Sequence, residues 1–459
     1  MAKNGSVILL EFNELTPALV ERFMGDGKLP NFKRFYQQSK AYITDAQEAQ
    51  DKLNPWIQWV TVHSGLSFAE HGVFHLGDGH KLQQKCLWDL LSEADLRVWV
   101  CGSMNPRFDA PLNGYLLPDP WTTTVTPYPD ELAPYFQFVQ RNVQEHTNTH
   151  VPLTAGDYAR FVKFMVTHGL SISTVGSIAR QLIRERLGGS RWKRAVLLDR
   201  LQWDVFRFYY QVLKPAFATF FLNSTAHLQH KYWRHMEPEH FTIKPRPEEQ
   251  AEYETAILFG YQEMDKLLAQ FMDLAGDDAT LVLCTALGQQ PCLSYEDQGG
   301  KTFYRPRSFA DVLTFAGVSV PCEVSPVMSE QFHLLFDSER DAEQAEVQLR
   351  ALRTEDTPAM LVSREGSAIF SGCKLYRPLA KDTVLHAGSG RAGPFFDLFY
   401  QGDGIKSGMH HPDGFLWIRG PDRQHHASQE KVPLRSVAPT VLALFDLAAP
   451  SYMTAQPLS

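Results

Sequence analysis

The chain has 459 residues, 44% hydrophobic and 21% charged, with 44 Lys and Arg against 52 Asp and Glu for a formal charge of −8. That length allows two or three units, or one large α/β core with insertions, and the composition is that of a folding globular protein rather than a disordered one. The negative balance and a pI near 6.1 exclude a chain-wide attraction to nucleic acid or acidic membranes, so neither is expected as a partner.

The first six residues lead directly into the apolar run 7–10, too short for a signal-peptide core or a membrane span, and no later run approaches about 18 apolar residues. The six cysteines (Cys86, Cys101, Cys284, Cys292, Cys322 and Cys373) contain no CxxC pair, which is neither a zinc spacing nor a dense disulfide framework. Reduced thiols and a cytoplasmic location are the expectation.

In chain order, residues 7–10 predict a buried strand, and Thr16-Pro17 followed by Leu19, Val20 and Phe23 predicts a helix with one apolar face. Residues 54–62 are rich in aromatic and β-branched side chains. Residues 88–93 look helical, and 97–101 form a short apolar strand ending at Gly102. This alternation favours a mostly parallel sheet.

Between about 127 and 200 the strand signals fade and helical stretches appear at 157–168 and 174–187, as in a helical insertion or cap. Its basic residues Arg180, Arg184, Arg186, Arg191, Lys193 and Arg194 read first as a solvated helix face, with an anion-binding face as the alternative. Strands follow at 216–222 and 280–284, with a helix over 252–275 between them. A smaller βαβ element is predicted from 331–337, the helix 342–352 and 360–362. The expected organisation is a first core part over 1–126, the helical insertion over 127–200 and a second core part over 201–459, with the small element near 322–395.

Two glycine-rich stretches invite a phosphate-loop reading. Gly299-Gly300-Lys301-Thr302 lacks the required earlier glycine, since Tyr295 stands there, and Gly388 to Gly393 reads as a plain loop. Trp56, Trp59, Tyr232 and Trp233 read as core beside strand ends.

Glu11 to Pro17, followed by Gly27-Lys28-Leu29-Pro30-Asn31-Phe32, resembles the opening strand and helix of the type I phosphodiesterase and nucleotide pyrophosphatase branch of the alkaline phosphatase superfamily. Ordered matches follow: Ser64-Gly65 with His71-Gly72, Thr225 to Arg234, His410 to Gly414 with Gly420-Pro421, and Val437 to Thr440. The resemblance implies an α/β fold with a mostly parallel central sheet, helices on both faces and catalysis at two metals.

Carried over residue by residue, it places Asn13 where the family has a metal-binding Asp, and finds no hydroxyl nucleophile in residues 51–60. The nearest hydroxyls are Thr61 and Ser64. The segment Ala226 to His230 keeps the family's His as His230 but not its Asp. Ala286 and Leu287 replace an Asp-His pair, and His410 matches the final His. His230 and His410 are therefore the expected metal ligands of a reduced site, with one divalent ion such as zinc or manganese as the possible cofactor. His227 and Asn13 stand beside them as candidate catalytic residues.

Glu11, Glu14 and Gln289 are possible neighbours, and Asn13, Asn223, Gln58, Gln289 and Gln290 are polar groups gathered at strand ends. The implied activity is on a phosphate, sulfate or other ester of an anionic small molecule or glycan. The alternative is a non-catalytic binding or scaffold protein in which the two histidines are hydrogen-bonded remnants.

Overall fold

The computed structural model describes residues 5–147, 153–188, 190–326, 331–355, 357–402 and 404–458. The strand Val7–Phe12 is buried at every position, with Ile8, Leu10 and Phe12 entering one core cluster and Val7 and Leu9 another. Successive strand side chains point to opposite faces, so a strand covered on both sides is apolar on both, the exception here being Glu11, which pairs with buried His63. That is why the run beginning at Val7 carries no polar alternation.

This strand lies inside an eight-stranded sheet. From edge to edge the strands are His426–Pro433, Lys40–Asp45, Asp413–Arg419, Thr280–Cys284, Val7–Phe12, Phe217–Leu222, Val98–Cys101 and Gly114–Leu117. Neighbours pair in parallel except at Asp413–Arg419, which is antiparallel to both of its partners. The chain is thus an α/β protein with a mostly parallel central sheet flanked by helices on both faces.

Residues 55–64 show where local propensity yields to context. They form the helix Pro55–Ser64 despite their aromatic and β-branched content. Pro55 at the first turn is compatible with a helix start, Gly65 closes it in the left-handed region, and the helix is buried on nearly all sides.

The helical segment after residue 127 holds Ala133–Thr147, Ala155–Thr167, Ile172–Arg186 and the start of Ala195–Leu213. Phe136, Phe138, Phe161, Phe164 and Met165 join the same apolar cluster as Ile8 and Leu10, so this segment thickens one face of the sheet rather than forming a core of its own.

The small element has its own apolar cluster, reaching from Tyr304 to Phe399. Its strands Gln331–Phe336 and Met360–Glu365 flank the helix Glu339–Arg350 but do not pair with each other, because Ala368–Cys373 lies between them and is antiparallel to both. It is a split βαβ unit in an antiparallel sheet. All six cysteines are free, and no helix among the described residues is long and apolar enough to cross a membrane.

Candidate metal centre

Three side chains converge beyond the carboxyl end of the central strand Val7–Phe12. Glu14, His230 and His410 each offer a ligand atom, and these atoms lie within 4.8 Å of one another. His230 Nε2 is 3.1 Å from Glu14 Oε2 and His410 Nε2 is 3.5 Å from it. The two rings meet edge to face with centroids 5.1 Å apart.

Glu14 owes its position to the backbone. Its amide donates to the Thr285 carbonyl, Asn13 N donates to Leu222 O, and Glu14 itself adopts φ 60°. A left-handed conformation at a buried non-glycine residue costs on the order of 1–3 kcal/mol and persists only where the surroundings impose it. Here it turns the carboxylate out of the strand direction and towards the two imidazoles.

The carboxylate is then fixed by amides. Asn13 Nδ2 donates to Glu14 Oε1 at 2.8 Å and to Asn223 Oδ1 at 2.7 Å, while Asn13 Oδ1 accepts from Trp59 Nε1 at 2.8 Å. Gln289 Nε2 donates to Glu14 Oε2. Gln229 Nε2 donates to the Glu14 carbonyl, and its Oε1 accepts from Tyr261 Oη and Thr16 Oγ1. These are the outer hydrogen bonds that hold a ligating carboxylate in one orientation.

His230 lies in the helix Ser224–Met236, and His410 in the strand Gly408–His411, which pairs with Gly288–Pro291 so that His410 stands opposite Gln289. His230 Nδ1 donates to the Gly408 carbonyl at 2.9 Å. A carbonyl only accepts, so Nδ1 carries a proton, and Nε2 is the ring atom turned to Glu14 and the site, where a metal would take the place of the proton shared with the carboxylate. The His410 ring lies beside the Leu53 backbone, which pulls weakly against the effect of burial on it. Gly408 is required where it is, since a Cβ there would meet Gln289 Oε1 at 2.3 Å and Gln229 O at 2.6 Å.

Burial alone would raise the Glu14 carboxyl, but the facing imidazoles of His410 and His230, with hydrogen bonds from His230 and Gln289, bring it down to about 2. Burial holds the His410 imidazole down at about 3 against the opposing pull of Glu14. Glu14 is therefore an anion and His410 a neutral ring at neutral pH, which are the forms that bind a metal.

Two imidazoles and one carboxylate make up a donor set known for catalytic zinc, with further positions open to solvent or substrate. Ligands at 2.0–2.1 Å in a tetrahedron stand about 3.3 Å apart, close to the two nitrogen-to-oxygen separations at this site. The opening lies on the His230 side, whose side chain is 27% exposed against 2% for Glu14.

Of the residues marked from the sequence, His230 and His410 are brought together and Glu14 joins them as a full member rather than a neighbour. Asn13 lies one residue from the set, with both ends of its amide committed to hydrogen bonds, so it positions Glu14. His227 is one turn before His230 and exposed, outside the set. His411 accepts from the Asp413 amide and also stays outside. Thr61 bonds to His71, and Ser64 donates to the Val60 carbonyl within its own helix, so neither hydroxyl reaches the centre. Glu11 pairs instead with buried His63.

No family model matches the chain, and no curated protein does. Solved structures do. Phosphonoacetate hydrolase from Sinorhizobium meliloti 1021, in complex with phosphonoformate, is 12% identical with a TM-score of 0.43, covering 97% of this chain and 96% of that one. Murine ectonucleotide pyrophosphatase/phosphodiesterase 5 is 9% identical with a TM-score of 0.41, over the same shares. Wild-type alkaline phosphatase PafA is 12% identical with a TM-score of 0.45, covering 100% of this chain and 99% of that one. Likeness at this level assigns no role to any residue here.

Proposed function

We propose that Glu14, His230 and His410 hold a single divalent cation, zinc or manganese, and that the chain acts there on a phosphate, sulfate or related ester of an anionic small molecule or glycan in the cytoplasm. The supporting observation is the convergence of one carboxylate and two imidazoles, with the His230 ring tied to a backbone carbonyl and the carboxylate held by two amides.

A divalent cation bound there would supply Lewis acidity to an ester oxygen. The chain's own residues do the rest of the positioning. Asn13 and Gln289 keep the Glu14 oxygens facing the rings, Gly408 keeps His230 in the tautomer that offers Nε2, and the exposed edge of His230 leaves an approach for substrate. With Thr61 and Ser64 bonded into the helix Pro55–Ser64, no side-chain hydroxyl of that helix is offered as a covalent nucleophile, which favours direct attack by water on the bound ester.

The same hydroxyl geometry favours a second reading, a binding protein that recognises an anionic ligand through the metal without turning it over. Zinc- or manganese-loaded protein incubated with aryl phosphate and sulfate esters separates the two. Turnover lost in His230→Ala supports the enzyme. Metal-dependent binding without turnover supports the second reading, and an absence of both contradicts the proposal.

A further inference from the structure

The basic segment after residue 157 is not an ordinary solvated face. Of the fifteen large hydrophobic side chains exposed among the described residues, eight lie between 158 and 187. On the helix Ala155–Thr167, Tyr158, Val162 and Val166 follow one another at a spacing of four and are each half or more exposed, along a stripe that adjoins the buried face of Phe161, Phe164 and Met165.

The next helix, Ile172–Arg186, is more unusual. Its two buried residues are Thr174 and Gln181, both polar and both hydrogen-bonded locally. Its outward face carries Val175, Ile183 and Leu187 at helical spacing, with Ile172 92% and Leu187 82% exposed. Ile178 alone of its large aliphatics packs partly against the core. The amphipathic pattern of this helix is therefore turned towards solvent, which a fold that needed the helix only for its own core would not produce.

Charge frames the stripe. Residues 158–194 hold eight Lys and Arg and one acidic residue, Glu185, in a chain whose net charge is −8. Glu185 is occupied by Arg194, and Arg180, Arg184 and Arg186 make no ion pair among the described residues. Arg180 and Arg184 follow Ala179 and Ile183 and so lie about 100° round the helix from them, flanking the apolar face. An apolar stripe bordered by unpaired arginines complements a bilayer with anionic headgroups, where the side chains enter the acyl boundary and the guanidinium groups meet phosphate.

From this surface we infer that the chain is a peripheral membrane protein, docking on an anionic bilayer through the outward faces of helices Ala155–Thr167 and Ile172–Arg186. This departs from the expectation drawn from the whole-chain charge, because the surplus is local and the acidic residues lie elsewhere. It does not depend on the metal centre. Trp192, at the end of the patch, packs on Tyr232 and Phe259, and Tyr232 belongs to the helix that carries His230, so docking would hold that helix beside the lipid surface.

The test is flotation of the full chain with vesicles of neutral phosphatidylcholine and with vesicles containing about one-third phosphatidylglycerol, at low and high salt. Binding to the anionic vesicles, weakened by salt, is expected. It should fall about fivefold for each charge removed in Arg180→Gln, Arg184→Gln and Arg186→Gln, and it should be lost in the combined variant Ile172→Ser, Ile183→Ser, Leu187→Ser. Every substituted side chain is exposed, and unchanged circular dichroism and melting confirm folding.

No flotation with anionic vesicles, or flotation indifferent to these substitutions, overturns the inference. So does a dimer, seen by sedimentation, that the serine variant dissociates while the wild-type chain ignores vesicles.

Discussion

Two carboxylate–histidine groups stand three residues apart on the same stretch of chain and differ in nearly everything except composition. Glu11 points into the closed face of the sheet, where its Oε1 lies 2.9 Å from His63 Nε2 and both side chains are sealed from solvent. His63 is stacked on Trp59 and packed against Trp88, so this pair has one ring, aromatic walls and no opening. Glu14 faces two rings, is held by amides on both oxygens and opens to solvent past His230. Residue type alone does not mark a site. Convergence of ligand atoms, outer hydrogen bonds and access do.

The largest expected effect lies on the closed side. Glu11→Ala leaves His63 buried without its partner and should lower folding stability by about 3–5 kcal/mol. Metal uptake by the folded fraction should remain intact. A denaturant titration alongside metal analysis checks both halves. Loss of metal with stability preserved would exchange the roles assigned to the two groups.

On the open side the order reverses. Glu14→Gln and His230→Ala should weaken zinc or manganese binding by more than the roughly 10–100-fold typical of outer hydrogen-bond partners, in a metal-free chain that still folds. Asn13→Ala, which removes a positioning bond and not a ligand, should fall within that 10–100-fold range. Competition titration against a chelating dye orders the three variants. Asn13→Ala as damaging as Glu14→Gln would mean that Asn13 ligates the metal.

Acid distinguishes the groups next. The His410 imidazole is held from its ordinary 6.5 down to about 3, so the folded chain favours the neutral ring. Its contribution is complete above 6.5 and is lost as pH falls towards 3. Glu14, lowered from 4.5 to about 2, contributes above 4.5 and loses its contribution between 4.5 and 2. The metal-free chain should therefore lose on the order of a few kcal/mol of stability on acidification, beginning below pH 6.5. In His410→Gln the first part of that decline should disappear. An unchanged pH profile in His410→Gln would place the acid-sensitive group elsewhere. The smallest effect is expected of His227→Ala, whose side chain is exposed outside the ligand set. Metal affinity should change by less than about threefold and stability by less than about 0.5 kcal/mol.

Much of the frame was legible from residues alone. The unbroken apolar run at Val7 could only be a strand covered on both faces, and His230 and His410 stood out because ordered motifs carried them. The composition of residues 54–62 does not announce the helix Pro55–Ser64, because β-branched and aromatic side chains fill a helix buried on nearly every side, where packing outweighs propensity.

Glu14 could be read only as a neighbour. Its membership depends on a left-handed backbone and on amides more than 200 residues away in sequence, neither of which has a local pattern. The basic segment was visible as charge, but its outward apolar stripe was not, since periodicity shows that a helix has an apolar face and not which way the face points.

The most direct test of the central claim is elemental analysis of the chelator-treated chain after exposure to zinc or manganese and removal of excess ion. Wild type, Glu14→Gln, His230→Ala, His410→Ala and Glu11→Gln are measured together. About one equivalent of metal in wild type and Glu11→Gln, with none in the other three, is the predicted result. Metal-free wild type, or equal metal in all five, would contradict the assignment of Glu14, His230 and His410 as the metal centre.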